Sequence, residues 1–124
     1  IVAATLKQNL AIAGLVAALP ALLCIQMLRF LADRNAQGIL VDHAHWITLQ
    51  RGGTASYPRR EGMYFSLFAM TERCEDVTLE GVAYPLCHGV FSNAFPLGVS
   101  NEILAETAKV TVGKGDLLVM YAKD

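Results

Sequence analysis

The chain has 124 residues, enough for one domain with a hydrophobic core, or for one domain and a remnant of another, and too few for two complete domains. Hydrophobic residues make up 54% and mean hydropathy is +0.40, so extensive burial is expected, part of it against a partner surface. Ten basic against eleven acidic residues leave a formal charge of -1, which excludes the electrostatic footprint of a nucleic-acid or anionic-membrane binder and leaves small ligands and protein partners.

The opening "IVAAT" reads as a short buried strand. From Leu6 to Leu19 good helix formers dominate, with Lys7, Gln8 and Asn9 in the first turn, and a helix covered on most sides is expected there. Pro20 would stop it, for want of an N–H. "LLCIQMLRFL" then reads as a second buried strand and "ADRNAQG" as a turn. Leu10 to Met27 is apolar apart from Gln26, but Pro20 divides it into halves shorter than the ~20 residues that cross a bilayer, and it lacks the flanks of a signal peptide.

After Gly38 the pattern changes to short strands: "ILVDH", "HWITLQ", "MYFSLFAM", "VTLEGVAY", "AKVTV" and "LLVMY". Turn chemistry joins them: "RGG", "SYPRREG", "TERCED", "HGVFSNAFPLG" and "GKG". In "AKVTV" the residues Ala108, Val110 and Val112 share one face while Lys109 and Thr111 share the other, the pattern of a half-buried antiparallel strand that "VGKGD" would fold into a hairpin. The expected class is therefore mainly β: an antiparallel β-sandwich or flattened barrel over residues 37–124, preceded by a strand-helix-strand remnant of an α/β domain over residues 1–31. Cys24, Cys74 and Cys87 are odd in number and show no C-x-x-C spacing, which suits free thiols in a reducing, cytoplasmic compartment.

Few constellations carry chemistry. His43 and His45 would share a strand face beside Asp42, but no third His or Cys is suitably spaced, so no metal site is expected. "RGGT" is too short for a phosphate-binding loop, Arg59-Arg60 reads as a solvated loop, and Trp46 as core or interface. No nucleophile elbow, activated Cys or paired carboxylates stand out, and no catalytic residue is assigned. "GVSNE" is the exception: Gly98 permits close approach, while Ser100 and Asn101 can each donate and accept. Two readings are open, a turn capped by its own side chains and a ligand-reading turn.

The order and spacing of "SLFAM", "VTLEGVAYPL", a variable loop, the G-x-S-N-E turn and a final "VTVGKGDLLVMY" segment resemble the C-terminal domain of thiamine pyrophosphokinase, over Met63 to Tyr121. The resemblance implies a dimer-forming β-sandwich that holds the vitamin, with Ser100 at the pyrimidine, Asn101 shaping the turn and Gly98 beside them. It also implies an enzyme that transfers diphosphate from ATP, with Mg²⁺, to the hydroxyethyl oxygen of thiamine, the metal and nucleotide being held by a preceding α/β domain. The family's G-G-R-x-D-H loop, expected between the strand "IVAAT" and the helix "LKQNLAI" in which Asn9 matches the helix asparagine, is missing. Because a strand-to-helix connection takes roughly 2 to 6 residues, a loop is expected between Thr5 and Leu6 whose residues the sequence lacks. By itself the stretch is expected to be inactive, with ATP and Mg²⁺ bound elsewhere in the parent enzyme. The rivals are a non-catalytic β-sandwich interaction module and, further off, a small membrane-anchored protein. Thiamine and a second copy are the partners implied, with neither nucleic acid nor membrane.

Overall fold

A computed structural model describes residues 2–6, 9–14, 21–94 and 98–123, with side chains from 24–94 and 100–123. Two compact units divide between Leu49 and Gln50; the division expected near residues 31–37 lies inside the first.

The first unit contains β1 (Val2–Leu6), β2 (Asn9–Gly14), α1 (Ala21–Ala32), β3 (Ala36–Val41) and the start of β4 (His45–Pro58). Its strands run antiparallel in the order β2-β1-β3-β4. Two expectations are corrected here. The residues read as a helix from Leu6 end β1 and then form β2, with Leu6 paired to Asn9 and Thr5 to Leu10. The residues read as the second strand form α1. Both segments are apolar on nearly every residue, so neither shows a period that separates helix from strand. α1 begins at Ala21, so the residues read as a strand after Pro20 are helical. Residues 7–8 and 15–19 of the expected helix lie outside the described residues. The loop expected at Thr5 to Leu6 also falls, because both residues belong to β1 and no strand-to-helix connection occurs there.

Along α1 the exposed positions are Gln26, Arg29 and Phe30, on one face, while Leu28 is 1% exposed. A Cβ on Gly38 would lie 2.8 Å from both Leu28 and Leu31, so that glycine lets the helix close on β3. Asn35, at φ 59°, closes the turn between α1 and β3 in the left-handed conformation that suits asparagine. Thr48 is fully buried and donates to the Gly38 carbonyl at 2.7 Å.

The second unit holds the rest of β4 with β5 (Met63–Ala69), β6 (Arg73–Glu80), β7 (Leu86–Ser92), β8 (Gly98–Asn101) and β9 (Thr107–Lys123). Its path is β4-β9-β5-β8, with β6 beside β9 and β7 beside β6. The mainly-β antiparallel class expected from the sequence is what the chain adopts, with β7 and β8 as open edges among the described residues.

β9 replaces the expected hairpin. It is one strand of 17 residues that pairs with β6 through Lys109–Lys114 and with β5 through Leu117–Lys123. Its buried face passes from even positions, Ala108, Val110 and Val112, to odd ones, Leu117, Val119 and Tyr121. Gly115 lies in the stretch between them, at φ 109°, where a Cβ would sit 2.6 Å from the Arg73 carbonyl oxygen. A bulge-like kink redirects the strand where a turn was expected.

Three further joints differ. "RGG" lies within β4, where Gly52 and Gly53 at φ 64° and 72° make a local irregularity instead of a turn. The expected strand "VTLEGVAY" ends at Glu80, before Gly81 at φ 80°. The loop "HGVFSNAFPLG" contains most of β7, whose alternation is broken by His88 at φ 51°.

The second core is built from Phe65, Leu67, Val77, Val110, Leu117 and Val119, each 0% exposed, with Tyr121 at 1%. Phe65 packs between Tyr57 and Tyr121 at centroid distances of 5.5 and 5.3 Å, both tilted. The Tyr57 hydroxyl donates to Gln50 Oε1 at 2.8 Å, and the Gln50 amide donates to the Val110 carbonyl at 3.0 Å, so the polar atoms here are paired.

Candidate functional site

On β5, Phe65 and Leu67 point into the core and pair with Asn101 and Gly98 of β8. Two steps along β5 therefore answer three along β8, so β8 carries one extra residue opposite Ser66. Such a bulge bends its strand and re-aims a side chain. The left-handed residue within it is Ser100, at φ 57°, with its side chain exposed. A non-glycine residue in that region costs of order 1–2 kcal/mol and persists where its surroundings hold it. Here the Ser100 N–H donates to Ser66 Oγ at 2.9 Å.

Asn101 faces the opposite way. It is 3% exposed, and its side chain imitates a strand neighbour: Oδ1 accepts the Tyr84 N–H at 3.0 Å and Nδ2 donates to the Tyr84 carbonyl at 3.0 Å. The main chain continues the same seam, with Ala83 N–H to Glu102 O at 2.8 Å, Leu104 N–H to Gly81 O at 2.9 Å and a bridge between Val82 and Ile103. Neighbours in sequence thus differ in geometry: Asn101 is buried and bonded to Tyr84, the Ser100 side chain is exposed, and Gly98 is a strand position paired with Leu67.

Tyr64 shares a face of β5 with Ser66, one i, i+2 step away. It borders an open cleft of about 160 Å³ together with Gly62, Met63, Glu102 and Ile103. Of the residues at this cleft, Tyr64 is two positions from Ser66 in the chain and Glu102 two positions from Ser100. A hydroxyl that donates and accepts, an aromatic ring and a carboxylate in this order suit a small ring with a polar edge and a positive charge.

Other candidates resolve differently. Asp42 closes the β3–β4 hairpin by accepting the N–H groups of Ala44 and His45, each at 2.7 Å, with His45 Nδ1 at 3.2 Å. Those amide bonds, first that of Ala44, hold its carboxyl below the usual value. The His43, His45 and Asp42 grouping is therefore accounted for as a turn. His88 Nδ1 meets Asp76 Oδ1 on the exposed β6–β7 ladder, a pair that sequence spacing does not suggest. Arg60 lies over the Tyr121 ring at 4.8 Å, while the Arg59 main-chain N–H donates to Glu106 O. Among the described residues no three His, Cys, Asp or Glu side chains are grouped to hold a metal ion. No described helix is long and apolar enough to cross a membrane. Sequence reasoning misses Ser66, since its link to Ser100 spans 34 residues and no local pattern announces it.

A family profile described as thiamin pyrophosphokinase, vitamin B1 binding domain, matches residues 47–117, more than half of the chain. The crystal structure of thiamine pyrophosphokinase from Bacillus subtilis is similar at 26% identity and a TM-score of 0.80, over 83% of this chain and 49% of that one. Thiamin pyrophosphokinase from Geobacillus thermodenitrificans is similar at 25% identity and a TM-score of 0.74, over 83% of this chain and 47% of that one. The Candida albicans enzyme shares the fold, with a TM-score of 0.71 at 13% identity, over 87% of this chain and 42% of that one. The chain thus spans about half the length of these bacterial structures. No curated protein matches it in sequence.

Proposed function

The chain belongs to the thiamin pyrophosphokinase family through that family's vitamin B1 binding domain, and on that basis we propose that its β8 bulge reads the thiamine ring for ATP-dependent transfer of diphosphate to the vitamin's hydroxyethyl oxygen. The observation that carries the reading is the exposed Ser100 side chain, held in a left-handed bulge inside the matched residues. An aminopyrimidine edge presents a donor beside an acceptor, which a serine hydroxyl can answer. The thiazolium ring is a cation, for which the Tyr64 ring and the Glu102 carboxylate at the cleft they line are favourable neighbours. Asn101 and Gly98 shape the β8 end that carries Ser100.

ATP and Mg²⁺ belong to the parent enzyme in this proposal. The described residues do not fit a Mg²⁺ site of their own, since no three ligating side chains converge, and no step is routed through one. The 124 residues by themselves would bind thiamine without converting it. A cytoplasmic location is proposed with this activity, in keeping with three cysteines that form no disulfide.

Calorimetric titration of the chain with thiamine tests the reading. Wild type should bind, and Ser100→Ala should lose about 0.5–1.5 kcal/mol, the value of a neutral hydrogen bond, with its fold intact. Equal affinity for both proteins would return Ser100 to a capped turn. A wild-type chain that ignores thiamine would favour an interaction module that keeps the fold without the chemistry.

A further inference from the structure

We propose that Ser66 is a positioning residue for Ser100: its hydroxyl, by accepting the Ser100 amide, holds β8 in the bulged conformation that turns the Ser100 side chain outward. The inference rests on the thiamine-binding reading above.

The extra residue of a bulge loses its regular place in the ladder, so its amide needs another acceptor. Ser66 Oγ supplies one at 2.9 Å. Ser66 is 6% exposed and lies between Phe65 and Leu67, both at 0%, so its backbone is fixed by the core on either side. A small hydroxyl side chain in the middle of the apolar strand "MYFSLFA" adds little to packing, while it places an acceptor opposite the bulge. Ser100 at φ 57° has a conformation that L side chains keep when something holds them there. The core thereby sets the position of an exposed hydroxyl through one hydrogen bond.

The test uses Ser66→Thr and Ser66→Val in the full chain, a pair nearly equal in shape that differs by the hydroxyl, with Ser66→Ala as a third variant that adds no bulk. Ser66→Thr should keep the wild-type thiamine affinity more closely, and Ser66→Val and Ser66→Ala should weaken it by roughly 3- to 10-fold, as for one lost hydrogen bond. In a Ser100→Ala background, Ser66→Ala should change affinity less than about 2-fold, because a residue that acts through another adds nothing once that other is gone. Without ligand, the Ser100 amide should exchange its hydrogen at least ~10-fold faster in Ser66→Ala than in wild type. Wild-type affinity in Ser66→Ala, or fully additive losses in the double variant, would overturn this inference and leave the thiamine reading standing. Absence of thiamine binding in wild type would bring down both.

Discussion

Asn101 and Ser100 are neighbours in sequence with opposite physical situations. One is 3% exposed and makes two hydrogen bonds to Tyr84; the other is exposed and left-handed. Their substitutions should therefore part ways. Asn101→Ala removes the clamp on Tyr84, two hydrogen bonds from a buried side chain, which should cost about 1–3 kcal/mol in urea unfolding. Ser100→Ala should leave that stability within about 0.5 kcal/mol while lowering thiamine affinity, as is usual for an exposed side chain. If Asn101→Ala unfolded at the wild-type midpoint, the structural role assigned to Asn101 would be wrong.

Among the elements, β9 decides the architecture of the second unit because one strand serves β4, β5 and β6. The change of partner passes through Gly115, whose φ of 109° and close approach to the Arg73 carbonyl no side chain accommodates. Gly115→Ala should destabilise the chain by about 2–4 kcal/mol through backbone strain and a clash with main chain. A Cβ placed on Gly53 would meet nothing within 4 Å, so Gly53→Ala should cost less, about 1 kcal/mol from its φ of 72°. Thermal unfolding of the two variants side by side checks the order; equal losses would mean that the kink at Gly115 carries no special constraint. The alternation in "AKVTV" and "LLVMY" makes both halves of β9 legible. The glycines between them do not separate a turn from a kink, because both ask for the same residue, and what chooses is the pairing with β5 and β6.

Over the molecule at large, pH and association are the global readouts. Burial pushes the Tyr57 hydroxyl well above its ordinary value, with Tyr121 adding to the effect, and burial also raises Tyr121 itself. A group whose folded pKa is raised keeps its full contribution below the unfolded value, here about 10, and loses it as pH rises beyond that. Stability should thus be flat through neutral pH and fall above about pH 10, by up to ~1.4 kcal/mol per pH unit for each such tyrosine. Tyr57→Phe should cost about 1 kcal/mol at pH 7, from the lost bond to Gln50, and flatten the alkaline limb. An unchanged limb would show that Tyr57 is not the group responsible. Exposed apolar side chains bear on association: in the second unit Tyr84 is 72%, Leu104 62% and Val90 42% exposed. A twofold dimer that covers them is proposed, and light scattering at micromolar concentration should report twice the chain mass. A monomer there would remove the dimer from the reading.

Local sequence is enough to specify the mainly-β class, the strands with strict alternation such as "AKVTV" and the polar cluster at "GVSNE", because each is written in a short period or in turn chemistry, whereas of the expected joint "SYPRREG" the first three residues belong to β4. It does not specify which of two apolar runs near the N-terminus is the helix, since a segment apolar on every side has no face to read. Long-range packing settles that by setting Leu28 of α1 against Gly38 of β3 and pairing Asn9–Gly14 with β1. The site has the same origin. Pairing of β5 with β8 puts one extra residue opposite Ser66 and divides the neighbouring Ser100 and Asn101 into an outward hydroxyl and a buried clamp, a distinction made by contacts 34 and 17 residues away in sequence.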